Sequence, residues 1–204
     1  MTSTTEQCAA QQKAFTRTAD NVALYTALAG AERVQKICEQ LGSAEPGYRL
    51  IRIDDRLNMD AGSEFEIALL DDASASVAFY DKITLVRCPS NSSRHIARSQ
   101  IWRSTDMRHS LALRDISQKV LFGYLIHHHD ILLEEFMVSG AGKFYWHRQV
   151  SRAIDGGLHV YLYEAATQLL RPIPTQRALN EIEDAVWSEA RQEPLRALIS
   201  ISPR

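Results

Sequence analysis

Phe65-Glu-Ile-Ala-Leu-Leu70, Asp71-Asp-Ala-Ser-Ala-Ser76 and Val77-Ala-Phe-Tyr-Asp-Lys-Ile-Thr-Leu-Val86 follow one another without a break, and their reading decides the fold. Two apolar and aromatic runs flank a short polar stretch, so they predict two strands joined by a loop rather than a tight turn. Upstream, Tyr48-Arg-Leu-Ile-Arg-Ile53 alternates with a period of two and predicts a strand before them. The break Gly42-Ser-Ala-Glu-Pro-Gly47 separates this region from one of different period. There Val22, Tyr25, Leu28, Val34, Ile37, Cys38 and Leu41 recur at three- and four-residue steps, with Gly30 and Gly42 as stops. Residues 6–42 are therefore expected to form a helix or a helical hairpin.

Downstream, Ser92 to Arg103 is expected to be helical, and Ile116, Val120 and Tyr124 mark another helix. The stretch from Ile131 to Val138 suits a buried strand. Phe144, His147, Val150 and Ile154 then fall on one helical face, stopped by Gly156 and Gly157. Leu158 to Glu164 alternates as a strand, Leu169 to Ile173 extends or pairs with it, and Pro174 and Thr175 open a last helix carrying Leu179, Ile182 and Val186. The expected class is α+β or α/β: a single mixed sheet of five or six strands with flanking helices. Residues 1–43 are read as the N-terminal helical segment and 47–204 as the mixed domain, packed as one compact unit.

With 204 residues, 45% hydrophobic and 24% charged, and a net charge of -2, the chain reads as a soluble globular protein. Such a composition excludes disorder, collagen-like repeats and a membrane-embedded chain. Cys8, Cys38 and Cys88 are odd in number and widely spaced, which suggests neither a disulfide framework nor a zinc ribbon and fits a reducing compartment. The first residues carry no cationic stretch followed by an apolar core, and no run approaches the ~18 apolar residues of a bilayer span. A cytoplasmic protein without membrane insertion is expected; export without a cleaved signal would leave the same sequence.

The small net charge is a cancellation. Arg87, Arg94, Arg98, Arg103, Arg108 and Arg114 face Asp106 alone between residues 87 and 114, which leaves +5 there and -7 elsewhere. On the expected helix Arg94 and Arg98 stand one turn apart, with Arg103 following, as a basic patch for an acidic partner. A sequence pI of about 6.4 argues against nucleic acid as that partner. The plainer expectation is that these arginines pair with the protein's own acidic groups.

His127-His128-His129-Asp130 is the second constellation. Adjacent histidines point in different directions, so the three cannot share one metal on a regular backbone. On a helix, His127, Asp130 and Glu134 would share a face, but Ile131 onward reads better as a strand. A polar helix-to-strand turn is expected, and no metal.

The third is Ser139-Gly-Ala-Gly-Lys143 between a predicted strand and a predicted helix. Backbone N–H groups of Gly140 and Gly142, the Ser139 hydroxyl and the cations of Lys143 and Arg148 could cradle a phosphorylated small molecule. The flanks, Met137 and Phe144, depart from a Walker A loop. Gly140 and Gly142 in this strand–loop–helix–strand setting resemble the acyl-CoA pyrophosphate loop of the GNAT acetyltransferase superfamily, which reads Arg/Gln-x-x-Gly-x-Gly/Ala; Met137 occupies the Arg/Gln position. The resemblance covers residues 131–164. The strands at 65–86 resemble the hairpin that precedes such a loop, although about 45 residues intervene here. It implies acyl-CoA as the cofactor, Glu134 or Glu135 as a base and Tyr161 or Tyr163 as a proton donor. Only one of each pair can face a cleft from a strand.

Two functions are thus expected. The first is a non-catalytic accessory of bacterial type, effector- or immunity-like, docking an acidic protein partner. The alternative is an enzyme or binding protein for a phosphorylated small molecule or acyl-CoA.

Overall fold

The computed structural model describes residues 18–37, 41, 45–56, 63–86, 94–135, 140–164, 166–187 and 194–204. Among these residues nine strands form one mixed sheet in the order β1-β2-β3-β4-β5-β6-β9-β7-β8, accompanied by helices in an α+β arrangement. Two compact units divide the chain: the described residues up to Leu85 together with Gln100–Lys119, and Val86–Ser99 together with Val120–Arg204.

In the first unit, helix α1 (Thr18–Ala29) precedes strands β1 (Val34–Lys36), β2 (Tyr48–Asp54), β3 (Glu64–Asp71) and β4 (Ser76–Val86), each paired antiparallel with the next. The register Ile51↔Ala68 and Ala68↔Tyr80 puts Ile51, Ile53, Ala68, Leu70 and Tyr80 on one face, where Leu28, Leu24 and Tyr25 of α1 cover them. Nearly every residue of β3 is buried, which is why that run is continuously apolar instead of alternating. A bulge at Ala78 lets Leu70 meet Val77 while Leu69 meets Phe79, and the Ala78 carbonyl accepts the Ser104 N–H.

The second unit begins where β5 (Ile96–Arg103) pairs in parallel with β6 (Asp130–Glu134). Between them in sequence runs helix α2, whose middle, Lys119–Leu125, is π-helical and is flanked by the α-helical turns Ile116–Gln118 and Ile126–His128. Helix α3 (Gly140–Asp155), β7 (His159–Glu164), β8 (Leu169–Pro172), α4 (Gln176–Trp187) and β9 (Arg196–Ser200) complete it. Strand β9 lies between β6 and β7, antiparallel to both. Gln176 Nε2 donates to the Ser151 carbonyl and to Asp155, which ties the start of α4 to α3. Thr175 Oγ1 accepts the Ala178 N–H as the α4 cap.

Four expectations need correcting. Residues 96–103 are a strand, not a helix: pairing of Ile96, Ala97 and Arg98 with Asp130, Ile131 and Leu132 overrides the local three- and four-residue spacing. Val34–Lys36 is a strand as well, held by Val34↔Ile53, so the helix ends at Ala29. The inward face of α3 is Trp146, Gln149, Val150 and Ala153, while Phe144 is 72% exposed. Trp146 wins because it buries the largest apolar surface and its indole N–H finds the Leu133 carbonyl at 3.2 Å. Strand β9 lies outside the expected elements, and with β1 and β5 it raises the strand count above the expected five or six.

Candidate functional site

The first unit carries a cleft of about 270 Å³ whose walls come from three sequence-distant stretches: the start of α1, the β3–β4 turn and the segment Ser104–His109. The turn forms because Asp71 folds it back on itself. Its Oδ1 accepts the N–H groups of Ala73 and Ser74 at 3.0 and 3.3 Å, an Asx-type turn. Asp106 builds the second wall in the same way, accepting the Arg108 N–H at 3.0 Å and pairing with the Arg108 guanidinium at 2.8 Å. That backbone hydrogen bond is the main reason the Asp106 carboxyl is held below the usual range. Asn21 closes the α1 side, since its amide donates to the Val77 carbonyl and accepts the Val77 N–H.

At the back of the cleft lies His109, 2% exposed. Tyr48 Oη is 2.9 Å from His109 Nδ1, Ser76 Oγ is 3.5 Å from Nε2, Ser74 Oγ is 2.8 Å from Ser76 Oγ, and Ser74 donates to Asp71 Oδ2 at 2.6 Å. Counting protons assigns the direction of this chain. A carboxylate only accepts, so the one Ser74 proton goes to Asp71, and the Ser76 proton must then go to Ser74. Ser76 accepts from His109 Nε2–H, and the bare Nδ1 accepts from Tyr48. Burial, the largest cause, and the neighbouring Arg108 charge hold the His109 pKa below the usual histidine value; Asp106 and Asp71 oppose them. The imidazole is thus a neutral donor toward Ser76, not a base drawing its proton. The row does not activate Ser76 as a nucleophile.

Outward from the cleft the chain continues to Lys119 as an excursion of turns. Met107 is 80% and Leu111 53% exposed, and the same stretch carries the exposed cations Arg103, Arg108, Arg114 and Lys119 against the two exposed acids Asp106 and Asp115. Arg103 also donates to the Leu113 carbonyl at 2.8 Å, which steadies the excursion.

The residues singled out in the sequence lie mostly in the second unit. Arg94 donates to Asp130 at 3.0 Å and to the Ile126 carbonyl, and Arg98 and Arg196 both grip Glu134 at 2.7–3.0 Å. Asp130, fully buried, is also paired with Arg204 and accepts from Ser200 Oγ. Arg94 and Arg98 are therefore held by internal carboxylates, apart from Arg103. His127 is exposed at the end of α2, and His129 makes the turn into β6. Among the described residues no group of three or more His, Cys, Asp or Glu is arranged to hold a metal. Glu135 accepts the Leu195 N–H, Tyr161 accepts the Arg204 N–H, and Tyr163 is half-buried. Gly140, Gly142 and Lys143 form the first turn of α3, with Arg148 exposed further along; Ser139 lies outside the described residues.

His109, Ser76, Ser74 and Tyr48 were not singled out in the sequence. The only hint was the turn chemistry of Asp71-Asp-Ala-Ser and the polar run Ser104-Thr-Asp-Met-Arg-His, because no fixed spacing links positions 48, 76 and 109.

The chain matches no family model, no curated protein and no solved structure.

Proposed function

We propose that the protein is a non-catalytic docking component for an acidic protein partner, with the excursion Arg103–Lys119 as its contact surface. One observation carries this reading: Met107 and Leu111 are exposed in a stretch that also carries four exposed cations. Large exposed apolar side chains with a polar rim mark interaction surfaces, and Met and Arg are enriched there. Unbranched Met adapts to irregular partner surfaces, while the arginines speed encounter and select for opposite charge. Of the basic patch expected at Arg94, Arg98 and Arg103, this reading uses Arg103 and the cations after it, because Arg94 and Arg98 pair with Asp130 and Glu134.

A photo-crosslinking residue at position 107 tests it. It is expected to capture a partner through an acidic, apolar-containing peptide, and Arg108→Glu with Arg114→Glu is expected to abolish capture at unchanged thermal stability. Equal capture by the charge-reversed protein would refute the docking role of the excursion.

A further inference from the structure

The cleft behind the excursion has a chemistry of its own. Following the proton count, Ser74 and Ser76 each donate once and accept once, so each oxygen keeps one lone pair with no partner among the described residues. Ser104 Oγ accepts the Asp106 N–H at 3.2 Å, and its own proton has no acceptor among the described residues. Thr105 adds a hydroxyl that makes no hydrogen bond among the described residues. One wall thus offers acceptors, and the other offers donors together with further acceptors.

The charges that line the cleft, Asp106 and Arg108, are paired with each other, so neither sign is left over. Apolar contact comes from Trp102 and Val22. A hydroxyl group donates and accepts at once, which satisfies both walls, and the C–H faces of a ring suit the tryptophan and valine. A carboxylate or a fully deprotonated phosphate cannot donate to Ser74 and Ser76, and an ammonium cannot accept from Ser104.

We propose that this cleft binds an uncharged polyol, a sugar or a cyclic polyol, between the hydroxyls of Ser74 and Ser76 and those of Ser104 and Thr105. The proposal stands independently of the docking reading, since it needs neither Met107 nor a protein partner. Recognition of this size is small-molecule recognition, a concave site with few convergent polar groups.

The test is an NMR titration of the full chain with myo-inositol and, separately, with glucose, glucose 6-phosphate and choline, following the Trp102 indole N–H and the amides of Ser74, Ser76 and Thr105. Saturable shifts of these signals with at least one of the two uncharged polyols in the millimolar range are expected. Thr105→Val, at the exposed rim, is expected to weaken binding about tenfold, as loss of one hydrogen bond would. Ser76→Ala is expected to weaken it at least as much, with the unliganded amide spectrum otherwise retained. No saturable shift with either uncharged polyol would overturn the proposal. So would binding of glucose 6-phosphate or choline alone, or polyol binding unaffected by both substitutions.

Discussion

The arginine-rich stretch has two halves with opposite fates. Arg94 and Arg98, in the second unit, lie at and on a central strand within reach of Asp130 and Glu134, and their charge is consumed inside the unit. Arg103, Arg108 and Arg114, in the first unit, lie on and after the end of that strand, where the chain leaves the sheet and turns outward with Met107 and Leu111. Composition treats the six arginines of the stretch alike. Position relative to a paired strand decides which of them hold the protein together and which face outward.

The sharpest way to break this comparison is Asp130→Asn. Arg94 and Arg204 would then lack their buried counter-charge, and breaking a buried pair from one side costs about 3–5 kcal/mol. Urea denaturation is expected to show that loss; a shift under about 1 kcal/mol would mean that the pair behaves as an exposed one.

A smaller effect is expected from acid on the first unit. His109 faces Tyr48, Ser76, Asp71, Asp106 and Arg108, and its folded-state pKa is depressed. The unfolded chain therefore binds a proton more readily. The stability that comes from neutral His109 is fully present above the ordinary histidine pKa of about 6.5 and is lost as pH falls below it toward the depressed folded value. His109→Gln is expected to lower stability at neutral pH and to flatten the decline as pH falls below about 6.5. A decline of unchanged steepness in that variant would place the titrating group elsewhere.

At the other extreme, Arg114→Ala is expected to leave the urea midpoint unchanged, because surface substitutions away from buried networks rarely register. A measurable loss would make the excursion a structural element and would blur the difference between the two halves.

Much of the sheet was legible in the sequence. Tyr48–Asp54, Glu64–Asp71, Ser76–Val86 and His159–Glu164 announced themselves by period or by long apolar runs bounded by turn residues. Strands β1, β5 and β9 did not. Val34–Lys36 and Ile96–Arg103 carry apolar spacings that suit either period, and Ala197, Leu198 and Ile199 are buried on both faces, so they show no alternation. Of the candidate site, Arg103 and Arg108 were visible as charge, but the cleft was not. Its walls come from residues around 20, 74 and 105, brought together by sheet register rather than by any motif.

By itself the sequence determined the secondary-structure class, the loop connection at Asp71–Ser76 and the cancellation hidden in a net charge of -2. These are local or additive properties, set by neighbouring side chains or by counting. Tertiary structure alone decided that Arg94 and Arg98 are spent on Asp130 and Glu134, that Trp146 turns inward, and that Tyr48, Ser74, Ser76 and His109 form one hydrogen-bonded row. Each of those depends on which strands pair and in what register, and the energy that selects a pairing comes from contacts between residues far apart in the chain.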